Sequence, residues 1–226
     1  MFRLRLNLLK WIRPLFGNTM LESLRIQFAA IELIDWLAMF AGAIGVYLSI
    51  KERLSAWPLF IFCYSAYIYI SLRSGYYALA TMNAIFVIIA IYGWYKWSGV
   101  ANSGKVRHER LQISRTPRKY LPLVFTLVAL GTIVIGALLS QMDAARLPFV
   151  DAFAMSTALA AQWMLSRKHI ENWIFWIVSD IVYVSLFLND RLWPSVFLFS
   201  AFILLAFKGL RDWQRSIAHN RSASNS

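Results

Sequence analysis

Residues Glu171 to Leu188 read ENWIFWIVSDIVYVSLFL. As a helix the run can cross a hydrocarbon layer about 30 Å thick. It nevertheless holds Asn172, Trp173, Trp176, Asp180 and Tyr183. An ionisable residue in an apolar span is costly and marks a functional site by default. Trp173, Trp176, Asp180 and Tyr183 are spaced i, i+3, i+7 and i+10, so they share one helix face. Two indoles and a phenol on one stripe make a stacking surface for a flat ring, and for a cation if one is present. Asp180 lies about two and a half turns in from Glu171, at hydrocarbon depth, where it can balance a positive ligand or accept hydrogen bonds from hydroxyls. The bland alternative is a pair of interfacial tryptophans and an Asp bonded to a neighbouring helix.

The rest of the chain frames that helix. Of 226 residues 59% are hydrophobic and 15% charged, against about 25% charged in soluble domains. The expected fold class is an all-α polytopic membrane protein. A net charge of +12 would suggest a nucleic-acid polymer as partner in a soluble chain. In a chain this apolar, the excess Lys and Arg mark cytoplasmic loops beside anionic lipid, and no nucleic acid is expected. The single cysteine, Cys63, excludes a disulfide framework or a zinc spacing.

Seven spans are expected, roughly Ile31 to Ile50, Trp57 to Leu72, Tyr76 to Trp97, Tyr120 to Ser140, Pro148 to Leu165, Glu171 to Leu188 and Leu192 to Leu210. The fourth carries no charge or amide and reads as a linker. Residues 1–30 form a basic amphipathic segment, 31–97 a first three-helix unit, 98–147 a basic loop and the linker helix, 148–210 a second unit, and 211–226 a polar cytoplasmic tail with a disordered end. With the interfacial Lys96 and Lys208 included, the loops after spans one, three and five and the C-terminus hold two, seven, two and four Lys or Arg; the other loops hold one each. The C-terminus is therefore expected inside. The five basic residues of the N-terminal segment oppose that orientation, so the segment is expected either to add a crossing or re-entrant element, or to lie on the outer surface.

A gapless shift of 116 residues lays Trp57 on Trp173, Tyr67 on Tyr183, Gly93 on Gly209 and Trp97 on Trp213. It maps spans one to three onto five to seven. With one span between them the triplets start on the same side, giving parallel repeats in a 3+1+3 layout with a site expected between them near the midplane. The halves differ at Tyr64, which falls on Asp180, and at Phe60, which falls on Trp176. Asn83 and Gln162 are the other deep amides; each could read a ligand's polar edge or join two helices. No GxSxG, HExxH, phosphate loop or metal cluster is present, and His108, His169 and His219 lie in loops or the tail. No enzyme activity and no cofactor are expected.

IYGWYKW at Ile91 to Trp97, ENWIFWIVSD at Glu171 to Asp180, AWP at Ala56 to Pro58, TMNAIF around Asn83 and DAFAMSTALAAQWMLSRK at Asp151 to Lys168 resemble the PnuC family of bacterial vitamin transporters. The resemblance implies a multi-pass protein of the bacterial inner membrane, related to the SWEET fold and similar to relatives that form homotrimers in the lipid bilayer. It implies facilitated diffusion of a small-molecule vitamin or nucleoside, first nicotinamide riboside, with intracellular phosphorylation trapping it. Thiamine, riboflavin and deoxynucleosides are the alternatives within the family. A non-transporting membrane receptor is the alternative outside it. The expected substrate-binding residues are Trp176, Asp180, Asn83, Gln162, Trp173, Asn172, Tyr183 and Trp57.

Overall fold

A computed structural model describes residues 20–99, 111–141 and 147–224. Residues 1–19 of the expected amphipathic segment, and 100–110 of the basic loop, lie outside the described residues. The helices are α1 (Met20–Ala29), α2 (Leu33–Ile50), α3 (Ala56–Arg73), α4 (Tyr77–Trp97), α5 (Leu121–Ser140), α6 (Pro148–Ser166), α7 (Asn172–Asn189) and α8 (Trp193–Ser224), with a 3-10 turn at Arg118–Tyr120 before α5. Five of them, α2, α4, α5, α7 and the Trp193–His219 part of α8, are long and apolar enough to cross a membrane. The 18 residues of α3 and the 19 of α6 are long enough too, but more polar. The reason on α6 is its packing: Ser156, Thr157 and Gln162 are all buried inside the protein, where lipid never meets them.

Each of six helices packs on the next to close a ring: α2 on α3, α3 on α4, α4 on α6, α6 on α7, α7 on α8, and α8 back on α2. Helix α5 lies outside this ring against α6. The protein is thus all-helical around an enclosed interior. The backbone follows the 116-residue spacing closely. Helix α3 and helix α7 coincide at both ends under the shift, and α4 and α8 coincide at their first residue. The turns match as well. Glu52 and Lys168 both have φ of 54°, and Gly75 and Arg191 have φ of 75° and 53°. The Arg53 N–H donates to the Leu48 carbonyl at 2.9 Å, and its counterpart, the His169 N–H, donates to the Met164 carbonyl at 3.0 Å.

At the end of the bundle that carries these two turns, the indoles of Trp57 and Trp97 meet edge to face with centroids 5.2 Å apart. Trp173 and Trp213 repeat the arrangement at 5.3 Å. Trp57, Trp173 and Trp213 are at most 1% exposed. Each pair needs a glycine behind it. A Cβ on Gly209 would stand 2.6 Å from two atoms of the Trp173 ring, and a Cβ on Gly93 would overlap the Trp57 ring. Rings of this size bury a large apolar area, and the missing Cβ lets the helix backbone come into contact with it.

The polar tail, expected to be disordered at its end, is helical. Helix α8 runs through to Ser224, because RDWQRSIAHNRSAS contains no Gly or Pro to stop it and because buried Trp213 ties its register to the core. At the opposite end of the bundle, α1 packs on α8. The Gln27 amide spans the start of α8, its Nε2 donating to the Arg191 carbonyl and its Oε1 accepting from the Trp193 N–H, both at 3.0 Å. Ten residues of helix reach about 15 Å, so α1 by itself is too short to cross a bilayer.

The linker to α5 is strapped to the turn between α6 and α7. The Ser114 N–H donates to the Lys168 carbonyl, and the Ser114 carbonyl accepts from the Ile170 N–H. Glu171 Oε2 accepts from both the N–H and the hydroxyl of Thr116, at 2.8 and 2.7 Å. Ser114 Oγ is 3.2 Å from His169 Nδ1. Burial holds the His169 ring below the ordinary histidine value; Glu171 pulls the other way and Arg167 adds to the lowering.

Two outcomes are expected. Gly93→Ala and Gly209→Ala should each lower the thermal unfolding temperature in detergent, by about 1–3 kcal/mol of overpacking, although alanine is the better helix former. An unchanged melting curve would mean that the indoles have room to move. Because the His169 value is lower folded than unfolded, the unfolded chain binds more protons, so this contribution falls as pH drops from about 6.5 toward the folded value. The loss of melting temperature between about pH 7.5 and 5.5 should be smaller in His169→Gln than in the parent.

Candidate substrate site

The ring of six helices surrounds a cavity of about 510 Å³, which is the size range of small-molecule sites. At one end it reaches turn residues Ser74, Tyr76, Asn189 and Asp190; at the other its floor is Ser49, Leu165 and Trp173. Helices α2, α3 and α4 supply one wall and α6, α7 and α8 the other.

Aromatic rings cross the interior in a ladder. Phe60 and Tyr64 lie 6.0 Å apart at 15°, Tyr64 and Phe86 4.9 Å apart at 20°, and Phe86 and Trp176 6.5 Å apart at 22°. The last rung joins α4 to α7, and so one half of the cavity to the other. Its two rings are nearly parallel, so each offers a face to a flat ligand.

Asp180 sits one helical turn beyond Trp176 on the same face and lines the cavity. It is 3% exposed. Among the described residues no hydrogen bond or ion pair holds it. Its neighbour Ser179 faces the other way and donates its hydroxyl to the Ala154 carbonyl at 2.9 Å, which fixes the rotation of α7 against α6. Asp35, Asp151 and Asp190 line the cavity too, and no Lys, Arg or His is among the described lining residues.

Five of the eight residues singled out from the sequence line the cavity: Trp176, Asp180, Asn83, Tyr183 and Trp173. Asn83 Nδ2 donates to its own helix at the Leu79 carbonyl, 2.9 Å away. The other three stand elsewhere. Trp57 is packed on Gly93 in the indole cluster. Asn172 is fully buried at the start of α7, where its Nδ2 donates to the His169 carbonyl at 2.6 Å. Gln162 is fully buried, and neither end of its amide has a hydrogen-bond partner among the described residues. Tyr64, Phe86, Asp35 and Asp151 also line the cavity and were not among the eight. The 116-residue shift carries a signal for two of them, since it lays Asp35 on Asp151. For Tyr64 and Phe86 no periodicity separates a cavity-lining aromatic from a core aromatic.

An unpaired carboxyl at this depth weakens the empty protein. Asp180→Asn is expected to raise the melting temperature of the ligand-free protein, by about 1 kcal/mol or more of stability. A lower melting temperature would mean that the carboxyl has a structural partner.

The comparison with known proteins agrees with this architecture. The family model described as nicotinamide mononucleotide transporter matches residues 32–215. The nicotinamide riboside transporter PnuC of Escherichia coli (strain K12) is 20% identical over 210 residues, covering 81% of this chain and 85% of that protein. The riboflavin/roseoflavin transporter RibM of Streptomyces davaonensis is 22% identical over 180 residues, covering 79% and 83%. A crystal structure of the vitamin B3 transporter PnuC superposes with a TM-score of 0.66 at 19% identity, covering 92% of this chain and 97% of that one. With a ring of helices around one cavity, and a family match over most of its length, this chain belongs to the PnuC family of membrane transporters.

Proposed function

We propose that the protein takes up nicotinamide riboside across the bacterial inner membrane by facilitated diffusion. The observation that carries this reading is the cavity itself: nearly parallel Phe86 and Trp176 rings from opposite walls, with the buried Asp180 carboxyl one turn away. A pyridinium ring is flat and positively charged, so it suits both features at once. Asn83 and Tyr183 are placed to meet ribose hydroxyls. The described lining holds no Lys, Arg or His to receive a phosphate, so phosphorylation inside the cell would trap the substrate. The matched turns and helix ends support seven spans arranged as two parallel three-helix repeats around a linker, α5. Exposed apolar residues on α5, such as Leu127, Leu130 and Ile133, leave a face for lipid or for neighbouring copies in a trimer.

Riboflavin is the second reading, because one relative is named as its transporter. Its ring system is flat but neutral and makes no use of Asp180. Thiamine, a cation, would use both features.

Purified protein in proteoliposomes is expected to accumulate labelled nicotinamide riboside down its gradient, without ATP or an ion gradient. Trp176→Ala should weaken apparent affinity about five- to tenfold, the loss of one stacking partner. Asp180→Asn should impair uptake of nicotinamide riboside and thiamine more than any uptake of riboflavin. Equal losses for cationic and neutral substrates, or background uptake of nicotinamide riboside by the parent, would overturn the assignment.

A further inference from the structure

The cavity reaches the turns at one end of the bundle and stops at a floor near the other, and the contacts below that floor are built from repeat-related parts. Lys168 Nζ lies 2.7 Å from Glu52 Oε2, and the two residues are 116 apart. The same turn of each half thus supplies one member of an ion pair between the halves. Lys168 Nζ also sits 4.6 Å above the Trp97 ring. Trp97 in turn faces Trp213 across the halves at 6.4 Å. Trp213 Nε1 donates to the Ile50 carbonyl of the other half at 3.1 Å, and Lys51 Nζ lies 3.8 Å from Asp212. Every one of these contacts joins the first half to the second, and all stand below the cavity floor at Trp173, Leu165 and Ser49.

The backbone adds an independent observation. Glu52 and Lys168 both occupy the left-handed region, with φ of 54°. That conformation suits glycine and is costly for long side chains. The chain nevertheless holds opposite charges at the two positions, and the Lys168 side chain is only 8% exposed. A turn needed only as a turn has no use for either charge. Each residue ends its helix in a left-handed cap, as Arg191 does at the other end of the bundle, so it is the pair of opposite charges that sets these two turns apart.

We propose that the Glu52–Lys168 pair, backed by Trp57, Trp97, Trp173 and Trp213, is the inner gate of the transport cycle. The pair holds the two halves together at the cytoplasmic end while the cavity is open to the outside. Substrate leaves when the halves part there, which breaks the ion pair and separates Trp97 from Trp213. The contact differs in strength between the two states of the cycle, which is what a gate requires. The two indole clusters, each locked to a glycine of its own half, move as rigid pieces on either side. This proposal rests on the transporter reading but not on which substrate is carried.

The test uses the full-length protein with Cys63→Ala and Ser49→Cys, which places one thiol on the cavity floor. Labelling by a membrane-impermeant thiol reagent is measured in inside-out and right-side-out vesicles. Glu52→Gly and Lys168→Gly each remove one charge; Lys168→Gly leaves only the part-exposed Glu52 unpaired, and the melting temperature of each variant is measured alongside. Each is expected to raise labelling from the inside at least about threefold and to lower it from the outside, as the population shifts toward the inward-open state. Unchanged labelling from both sides, or a rise from the outside only, would overturn the gate. Uptake of nicotinamide riboside by the parent is measured in parallel. Failed uptake with a shifted labelling pattern would discard the substrate and keep the gate; normal parental uptake with an unshifted pattern would discard the gate alone.

Discussion

The contact of a bare glycine backbone with a buried indole holds this bundle together. It occurs twice, at Gly93 with Trp57 and at Gly209 with Trp173. In lipid there is no hydrophobic force between helices, because acyl chains are as apolar as leucine. Association has to come from close packing, and packing is closest where a helix offers no Cβ and its partner offers a large flat ring. Each indole–glycine contact fixes the second ring helix of its half against the third. Trp97 and Trp213 then bring the halves to one another, so the whole closed end depends on four side chains and two missing ones.

Closing six helices into a ring has a consequence for polar residues. Each wall helix has one face toward lipid and one toward the cavity or a neighbour, and only the inner face tolerates polar groups. The hydroxyls and the amide of α6 are buried accordingly, and Asp180 is turned inward by the Ser179 hydroxyl on its far side. The unpaired carboxyl and the parallel aromatic rung stand close together because α7 presents both on one stripe, while Phe86 arrives from the opposite wall. The halves differ at Phe60/Trp176 and Tyr64/Asp180, all of which line the cavity, and match at the turns and indoles.

Much of this was legible in the residues. The apolar runs predict each of the helices α2 to α8 to within about two residues at their starts, since hydrophobic length and boundary aromatics are strong signals. The 116-residue register was readable because tryptophan and glycine are too rare to coincide often by chance. Less was legible in the tail, where polarity was read as disorder although α8 continues past buried Trp213. Among the candidate residues, Trp57 and Trp173 share one position of the 116-residue register. The structure places Trp173 on the cavity floor and Trp57 wholly within the indole cluster.

The sequence alone determined the all-helical membrane class, the 116-residue register and the stripe of Trp176 and Asp180, because each depends on local composition or on a regular spacing along the chain. Tertiary structure alone decided which aromatic faces which. Phe86 meets Trp176 at a separation of 90 residues, and Glu52 meets Lys168 at 116. Such pairings depend on how the helices rotate about their own axes when the ring closes. That rotation is set by the sum of many small packing contacts, and no single position in the sequence records it.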